Sequence, residues 1–335
     1  MAPELTTVSE STAVVFDGAV VHRYDDLAPD AEFDLDGVTG RTLPHPGGEL
    51  LCRFATVNDV HFGETECGVI EGMDLGPILS VGEGETPYPE VMNYAAVDEI
   101  KQMDPDAVLA KGDLTAGGTR EEYEAFLGCY GAAFGDKLLH VRGNHDAYHD
   151  DIAPEGPSER VLPGVTIALL DTVIPRHTTG QVPQDQLDWL DELAARTDQI
   201  VLAFGHHHVW SPESKKREAT YFGISPDDSD KLIEVFSRHA NLRGYFAGHT
   251  HRNRVRLVPA TGAVPWVEVS ATKDFPGAWA EYRVFEGGVL QVMHRIASSE
   301  ALAWSEQTRQ MFGGLYPDYS FGQMKDRCFA IPPRG

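Results

Sequence analysis

The sequence is poor in positive charge. Its 27 lysines and arginines stand against 52 aspartates and glutamates, a formal net charge of −25 at pH 7 over 335 residues. That argues against a surface that wraps a nucleic-acid polymer, which must neutralise phosphates with its own cations. A small anionic substrate is still allowed, because screening confines surface fields to roughly 8 Å at physiological salt. No apolar run approaches the ~20 residues needed to span a bilayer, so no membrane partner is expected. The start, Met1-Ala2-Pro3-Glu4-Leu5-Thr6, lacks the basic and apolar regions of a secretory leader. Cysteine is scarce: Cys52, Cys67, Cys129 and Cys328 are scattered with no CxxC pair. They read as reduced cytosolic thiols rather than a disulfide framework, and a cytoplasmic location is expected. Internal repeats and low-complexity tracts are absent as well.

What is present is a set of short apolar runs that end in acids, amides or imidazoles. The clearest is Asp106-Ala107-Val108-Leu109-Ala110-Lys111-Gly112-Asp113. Such a run between turn signals suits a strand buried on both faces. An ionised aspartate at its mouth is costly unless paired with positive charge. Gly112 removes a side chain just before it and lets other groups approach. Lys111 is one possible partner, although lysine usually extends to water; a metal ion is the other. Four more runs behave alike. Residues 51–57 lead into Asn58-Asp59-Val60-His61, where Asp59 and His61, two apart, project to the same side. Residues 138–141 lead to Gly143-Asn144-His145-Asp146, residues 200–205 to His206-His207-His208, and residues 242–247 to Gly248-His249-Thr250-His251. Open α/β sheets present ligands beyond the carboxyl ends of their strands. Five polar strand ends therefore predict one shared site, with donors suited to a borderline metal. His22 and His45 fall outside these ends and read as surface histidines.

Around these runs the chain divides into an N-terminal β-hairpin extension (1–49), a main domain (50–298) and a C-terminal helix and tail (299–335). Asp17-Gly18, between residues 12–16 and 19–24, and Asp36-Gly37 are hairpin signals, because both turn positions want positive φ. Residues 63–89, rich in Gly, Pro and Glu, read as a loop. A helix is predicted over 90–103 with Val91, Tyr94, Ala95, Val97 and Ile100 as its apolar stripe. Thr119 caps a helix running to residue 127. Another helix spans 184–195, with Leu187, Leu190 and Ala194 on one face and Leu193 at its edge. Residues 165–171 form a further buried strand. Residues 281–285 and 289–293 flank Glu286-Gly287-Gly288 as a hairpin, and a helix over 298–312 stops at Gly313-Gly314. The tail aromatics Tyr316, Tyr319, Phe321 and Phe329 are expected to pack on the domain; a cap over the site or a dimer contact is the functional alternative.

The series Asp59-x-His61, Gly112-Asp113, Gly143-Asn144-His145-Asp146, Gly205-His206 and Gly248-His249-Thr250-His251 resembles the calcineurin-like metallophosphoesterases in order and spacing. In motif it is most similar to the class III cyclic-nucleotide phosphodiesterase branch. The resemblance implies an α/β four-layer α-β-β-α sandwich of two mixed sheets. It also implies a centre of two divalent or mixed-valence ions (Mn, Fe, Zn or Co). Asp59, His61 and His251 would bind one ion and Asn144, His206 and His249 the other, with Asp113 bridging. His145 would be the catalytic histidine on the leaving-group side, and Asp146 joins it as a catalytic candidate. Three positions depart from the pattern. Asn58 stands where Ser is commoner. Ala116 sits where relatives often carry an Asp that orients the catalytic histidine, a role Asp146 could take. His208 replaces the usual Pro, which leaves the choice among His206, His207 and His208 to position; His206, just after Gly205, is favoured.

The expected activity is hydrolysis of a small phosphodiester by a metal-bridging hydroxide, with 3′,5′-cyclic AMP as first guess. Two divalent ions less Asp59, Asp113 and one hydroxide leave about one positive charge, which matches a diester monoanion. A monoester dianion would call for extra cations, for which Arg142, Arg252 and Arg254 are the candidates. Alternatives on the same scaffold are a nucleotide pyrophosphatase, a glycerophosphodiesterase or a phosphomonoesterase. A non-catalytic binding module is a different class, but it should have lost part of the motif set, and none is lost here.

Overall fold

Period-two alternation splits the central strands between two apolar layers. In the strand Ala107–Lys111, Ala107 and Leu109 join one core cluster while Val108 and Ala110 join another, and all five residues are buried. The computed structural model describes residues 3–333 apart from 70–71, 73–74, 150–151 and 219. Small parts of the expected extension, loop and tail therefore lie outside the described residues.

The strand belongs to a six-stranded sheet ordered Leu138–Val141, Ala107–Lys111, Leu50–Val57, Ala278–Phe285, Gly288–Arg295 and Phe329–Ile331. Its first three strands are parallel and the rest pair antiparallel. A second sheet runs Ser158–Leu162, Val165–Leu169, Ile200–Phe204, Leu242–Ala247, Pro265–Glu268 and Arg254–Leu257, parallel inside and antiparallel at both edges. The sheets meet across a core of Phe54, Leu109 and Tyr282 from the first and Leu202, Phe204 and Phe246 from the second. Phe54 and Tyr282 stack at 4.7 Å, with Phe204 edge-on to Phe54 at 6.0 Å. Helices Gln184–Arg196 and Pro226–Arg238 cover the outer face of the second sheet, and helix Tyr88–Met103 covers the first. The result is the four-layer α-β-β-α sandwich of two mixed sheets that the motifs imply.

Local chemistry explains where elements begin and turn. Thr119 accepts the Glu122 N–H while the Glu122 carboxylate takes the Thr119 N–H, a complete capping box for helix Arg120–Phe126. Asp36 and Gly37 both take positive φ (54° and 88°), as their turn requires. The first hairpin differs from expectation by one residue. Asp17 pairs with Val20, so the turn is Gly18-Ala19 and only Gly18 has positive φ. The buried stripe of helix Tyr88–Met103 is also rotated from the predicted one: Met92, Asn93, Ala96, Val97 and Ile100 face inward while Tyr94 is 50% exposed. Asn93 is buried because each polar group is used: Nδ2 donates to Val60 and Pro89 carbonyls, and Oδ1 accepts from Tyr130. A polar residue thus breaks the stripe that periodicity reads. The helix predicted over 298–312 ends at Thr308, and a short 3₁₀ turn Phe312–Gly314 follows.

His140, on the strand that leads to Asn144, packs its ring on Phe126 at 5.5 Å and meets the Tyr123 hydroxyl at 2.8 Å. Burial pushes its pKa down to about 4. Between the unfolded-state value near 6.5 and that limit, the unfolded chain takes up a proton the native chain refuses. Stability is therefore expected to fall as pH drops through this window, by at most about 1.4 kcal/mol per pH unit from this group. Urea unfolding at pH 7 and 4.5 is the check: His140→Phe should flatten the acid loss, and an unchanged slope refutes the assignment.

Candidate metal centre

All five polar strand ends meet at one edge of the sandwich, three from the first sheet and two from the second. Close approach is enforced by glycine. A Cβ at Gly112, whose φ is 88°, would lie 2.6 Å from His206 Nδ1, and one at Gly143 would lie 2.2 Å from the Asp113 backbone nitrogen. Asp59, His61, Asp113, His249 and His251 all carry left-handed φ, between 46° and 67°. That conformation costs a non-glycine residue about 1–3 kcal/mol. Cross-braces hold it: the Asp59 N–H donates to Gly112 O, the His61 N–H to Asp113 O, and the His249 N–H to the Asp59 carboxylate. Asn58 Nδ2 is pinned by the carbonyls of Val269 and Ser270 beside that carboxylate.

Asp113 is the hub. His206 Nε2 lies 3.2 Å from its Oδ1, His61 Nε2 lies 3.4 Å from its Oδ2, and the His145 N–H donates to Oδ1 at 3.0 Å. Burial pushes the Asp113 pKa up, but the neighbouring His206 and His145 pull it well below the usual carboxylate range. His206 Nδ1 lies 2.9 Å from the Lys111 carbonyl, and Nε2 faces Asp113 Oδ1 and, at 3.1 Å, Asn144 Oδ1; burial would lower its pKa, but Asp113 raises it to about 9. The Asn144 amide is oriented by Nδ2 donating to Tyr148 at 2.6 Å. On the other side, His251 Nε2 is 3.6 Å from Asp59 Oδ1. Both ring nitrogens of His61 and the Nε2 atoms of His249 and His207 are buried without a hydrogen-bond partner. Carboxylates, an amide oxygen and imidazoles crowded this closely, beside orphaned imidazole nitrogens, need cations or protons among them. The residues fit a metal centre. Donor atoms lie within 4.8 Å of one another in Asp59, His61 and His251, in Asp59, Asp113 and His206, and in His206, His207 and His249.

Of the three consecutive histidines, two face the cluster. His207 joins His206 through its free Nε2, with Thr172 on its Nδ1 side at 2.8 Å, whereas His208 turns to the Tyr221 hydroxyl at 3.0 Å. Burial pushes the His207 and His249 pKa values well below the ordinary histidine range, and holds both rings neutral, as metal donors must be.

Several expectations change. Lys111 does not reach water: it is fully buried, with Nζ on Thr56 Oγ1 at 3.2 Å, and burial pushes its pKa down to about 7. Asp146 neither orients His145 nor faces the pocket. Its carboxylate accepts the N–H groups of Gly143, Leu114 and Thr115 and the Thr115 hydroxyl, and clamps two loops together. Burial and Asp113 push its pKa up to about 6. The Ala116 carbonyl takes the orienting role, accepting His145 Nδ1–H at 2.6 Å and leaving Nε2 for the pocket. None of the arginines considered as a clamp lines that pocket: Arg142 pairs with Asp171 and Glu155, Arg252 and Arg254 face Glu268. His22 and His45 are exposed and take no part.

The pocket extends from the cluster past Phe222, Met311, Phe312, Tyr316 and Tyr319, with Glu64, Lys273 and Asp274 in its wall. Sequence reasoning named Tyr316 and Tyr319 as a candidate cap over the site but missed Glu64, Phe222, Lys273, Asp274, Met311 and Phe312. Lys273-Asp274 gave no signal of the kind that marks Asp113: residues 267–272, Val-Glu-Val-Ser-Ala-Thr, are not an apolar run, and only the structure shows the stretch from Val264 to Phe285 to be buried. The tail both packs on the domain and lines the site, so its two readings are not exclusive.

The calcineurin-like phosphoesterase family model matches residues 52–253. The chain belongs to the calcineurin-like phosphoesterase family. It is 30% identical over 197 residues to a probable cyclic nucleotide phosphodiesterase of Synechococcus sp., covering 55% of this chain and 74% of that protein. It is 34% identical over 161 residues to a cAMP/cGMP dual specificity phosphodiesterase of Mycobacterium tuberculosis, covering 44% of this chain and 49% of that protein. A probable glycerophosphodiester phosphodiesterase of Arcobacter nitrofigilis is 26% identical over 239 residues, 64% of this chain and 82% of that protein. Among solved structures, a dimetal phosphatase from Danio rerio superposes with a TM-score of 0.54 at 16% identity, covering 74% of this chain and 98% of that one; this concerns the fold alone. Six residues of this phosphoesterase's pocket, from Lys273 to Tyr319, lie beyond the matched segment.

Asp146→Ala would strand three buried N–H donors and is expected to cost about 3 kcal/mol or more. Urea unfolding checks it; unaltered stability with lost turnover would restore Asp146 as a catalytic group.

Proposed function

We propose that this phosphoesterase is a binuclear metal-dependent phosphodiesterase for small diesters with a flat apolar substituent, and that 3′,5′-cyclic AMP is the first substrate to test. Asp59, His61 and His251 would hold one ion and Asn144, His206 and His249 the other, with Asp113 available to either. Bound ions would supply Lewis acidity that lowers the pKa of a water and stabilises charge on the reacting oxygens. The rest falls to the chain. The Ala116 carbonyl fixes the His145 tautomer, so Nε2 is the nitrogen that holds or passes a proton at the leaving oxygen. Tyr148 keeps the Asn144 oxygen, rather than its nitrogen, toward the cluster.

The observation that carries the diester reading is the state of Lys273. It is the single lysine or arginine in the described pocket wall, and Glu64 at 2.7 Å and Asp274 at 3.0 Å already hold it. The wall therefore offers a monoester's second negative charge no spare cation, whereas a diester monoanion needs none. The aromatic wall supports a nucleotide. Phe222, 49% exposed, stacks on the His249 ring at 4.0 Å, and Tyr319 and Phe312 line the same space. A nucleobase gains from such faces, by roughly 1–3 kcal/mol per stack; glycerol does not. The names of the Synechococcus and Mycobacterium relatives agree with this reading. The Arcobacter relative keeps a glycerophosphodiester as the alternative.

The test is a panel with added Mn²⁺: bis-p-nitrophenyl phosphate, p-nitrophenyl phosphate, cyclic AMP and glycerophosphocholine. Diesters should turn over well above the monoester; the opposite order sinks the proposal. Phe222→Ala should raise KM for cyclic AMP roughly tenfold and leave glycerophosphocholine unaffected. Equal effects on both would assign Phe222 to packing. His145→Ala should keep both ions and slow turnover by about 10²–10⁴-fold, while Asp113→Ala should lose the ion pair. Elemental analysis alongside kinetics decides, and metal-replete His145→Ala with undiminished turnover would refute its role.

A further inference from the structure

The family-matched segment ends at Asn253, yet the environment of His251 is completed from far beyond it. His251 Nδ1 faces Asp274 Oδ2 at 3.2 Å, on the side of the ring away from Asp59. Asp274 is 1% exposed. Its other oxygen accepts the Tyr316 hydroxyl at 2.6 Å, and Lys273 Nζ sits 3.0 Å from the first. Tyr316 opens the short helix Tyr316–Ser320 of the C-terminal segment and is buried. Nearby, the Tyr319 hydroxyl donates to the Thr250 carbonyl at 2.9 Å, so the same helix grips the backbone next to His251.

A histidine that binds metal through one nitrogen nearly always donates its other N–H to an outer acceptor, and that partner fixes the ring and raises its basicity. We infer that Asp274 is the positioning residue for His251, and that Tyr316 holds Asp274 in place, so the C-terminal segment is a working part of the metal centre rather than a cover. Asp274 takes the His251 Nδ1–H and leaves Nε2 free beside Asp59. The Tyr316 hydroxyl prevents the Asp274 carboxylate from rotating wholly toward Lys273. Among the described residues no comparable carboxylate stands at the outer nitrogen of His206 in the other set, which faces the Lys111 carbonyl. The two ion sites should therefore respond differently to a change at Asp274. This rests on the assignment of His251 to an ion made above.

The experiment is calorimetric titration of Mn²⁺ into metal-stripped full-length protein, with thermal unfolding of the stripped forms in parallel. Wild type should take up two ions. Asp274→Asn should weaken one site by about 10–100-fold and leave the other within error. Tyr316→Phe, which removes only a hydroxyl, should weaken the same site by roughly three- to tenfold. A packing role would instead lower the unfolding temperature of the stripped protein and leave the affinities alone, or shift both sites together; either result overturns the inference. Should Asp274→Asn not fold, Tyr316→Phe decides, and two wild-type affinities there overturn it. A wild type that binds fewer than two ions removes the metal assignment itself, and the inference with it.

Discussion

A carboxylate at the mouth of a strand buried on both faces is the constraint on which the molecule turns. Asp113 sits where water cannot solvate it, and so every neighbouring element must bring something to it. Two glycines, Gly112 and Gly143, strip the approach of side chains. His206 and His61 arrive from different sheets, and the His145 backbone donates from a third loop. Asp113 and four of the surrounding acids and histidines adopt left-handed backbone to reach their places. Strain of this kind persists only when the surroundings over-determine it, and here two rigid sheets do so.

Charge explains the chemistry that such a centre can support. The chain is strongly acidic, and among the described residues near the cleft its cations are already matched: Arg142 by Asp171 and Glu155, Arg252 by Glu268, Lys273 by Glu64 and Asp274. The cluster itself offers carboxylates, an amide and imidazoles; burial keeps His61, His207 and His249 neutral, whereas neighbouring carboxylates raise the pKa values of His206 and His251. Ions, when bound, would supply most of the positive potential in the cleft, and it would be limited to what they carry. That limit bears on substrate charge more directly than any single contact.

The two parts of the chain divide the labour. The family-matched segment carries the converging acids and histidines with Glu64 and Phe222 of the wall, and the residues after it add six more lining residues, from Lys273 to Tyr319. Since Tyr316 and Tyr319 also reach the Asp274 carboxylate and the Thr250 backbone, the wall is fastened to the cluster itself. The Phe222 ring, from the opposite side, lies over His249.

The strand ends were legible in the sequence because an apolar run that stops at Asp, Asn or His is unusual whatever surrounds it. Asp59, His61, Asp113, Asn144, His206, His249 and His251 were singled out in this way, and the sandwich followed from the family resemblance those residues carry. Partner choice was not legible. Lys111 read as solvent-seeking and is buried; Asp146 read as catalytic and instead clamps backbone amides; a carbonyl of Ala116, invisible to any side-chain pattern, orients His145. Asn93 displaced a helix stripe because three hydrogen bonds outweighed its polarity. Local pattern records what each residue prefers on average, whereas these outcomes depend on which atoms from distant segments arrive within 3 Å. The sequence alone determined the architecture and which residues converge; only the tertiary structure decided which nitrogen, oxygen or backbone group each one faces, because hydrogen-bond geometry is set by packing across the two sheets.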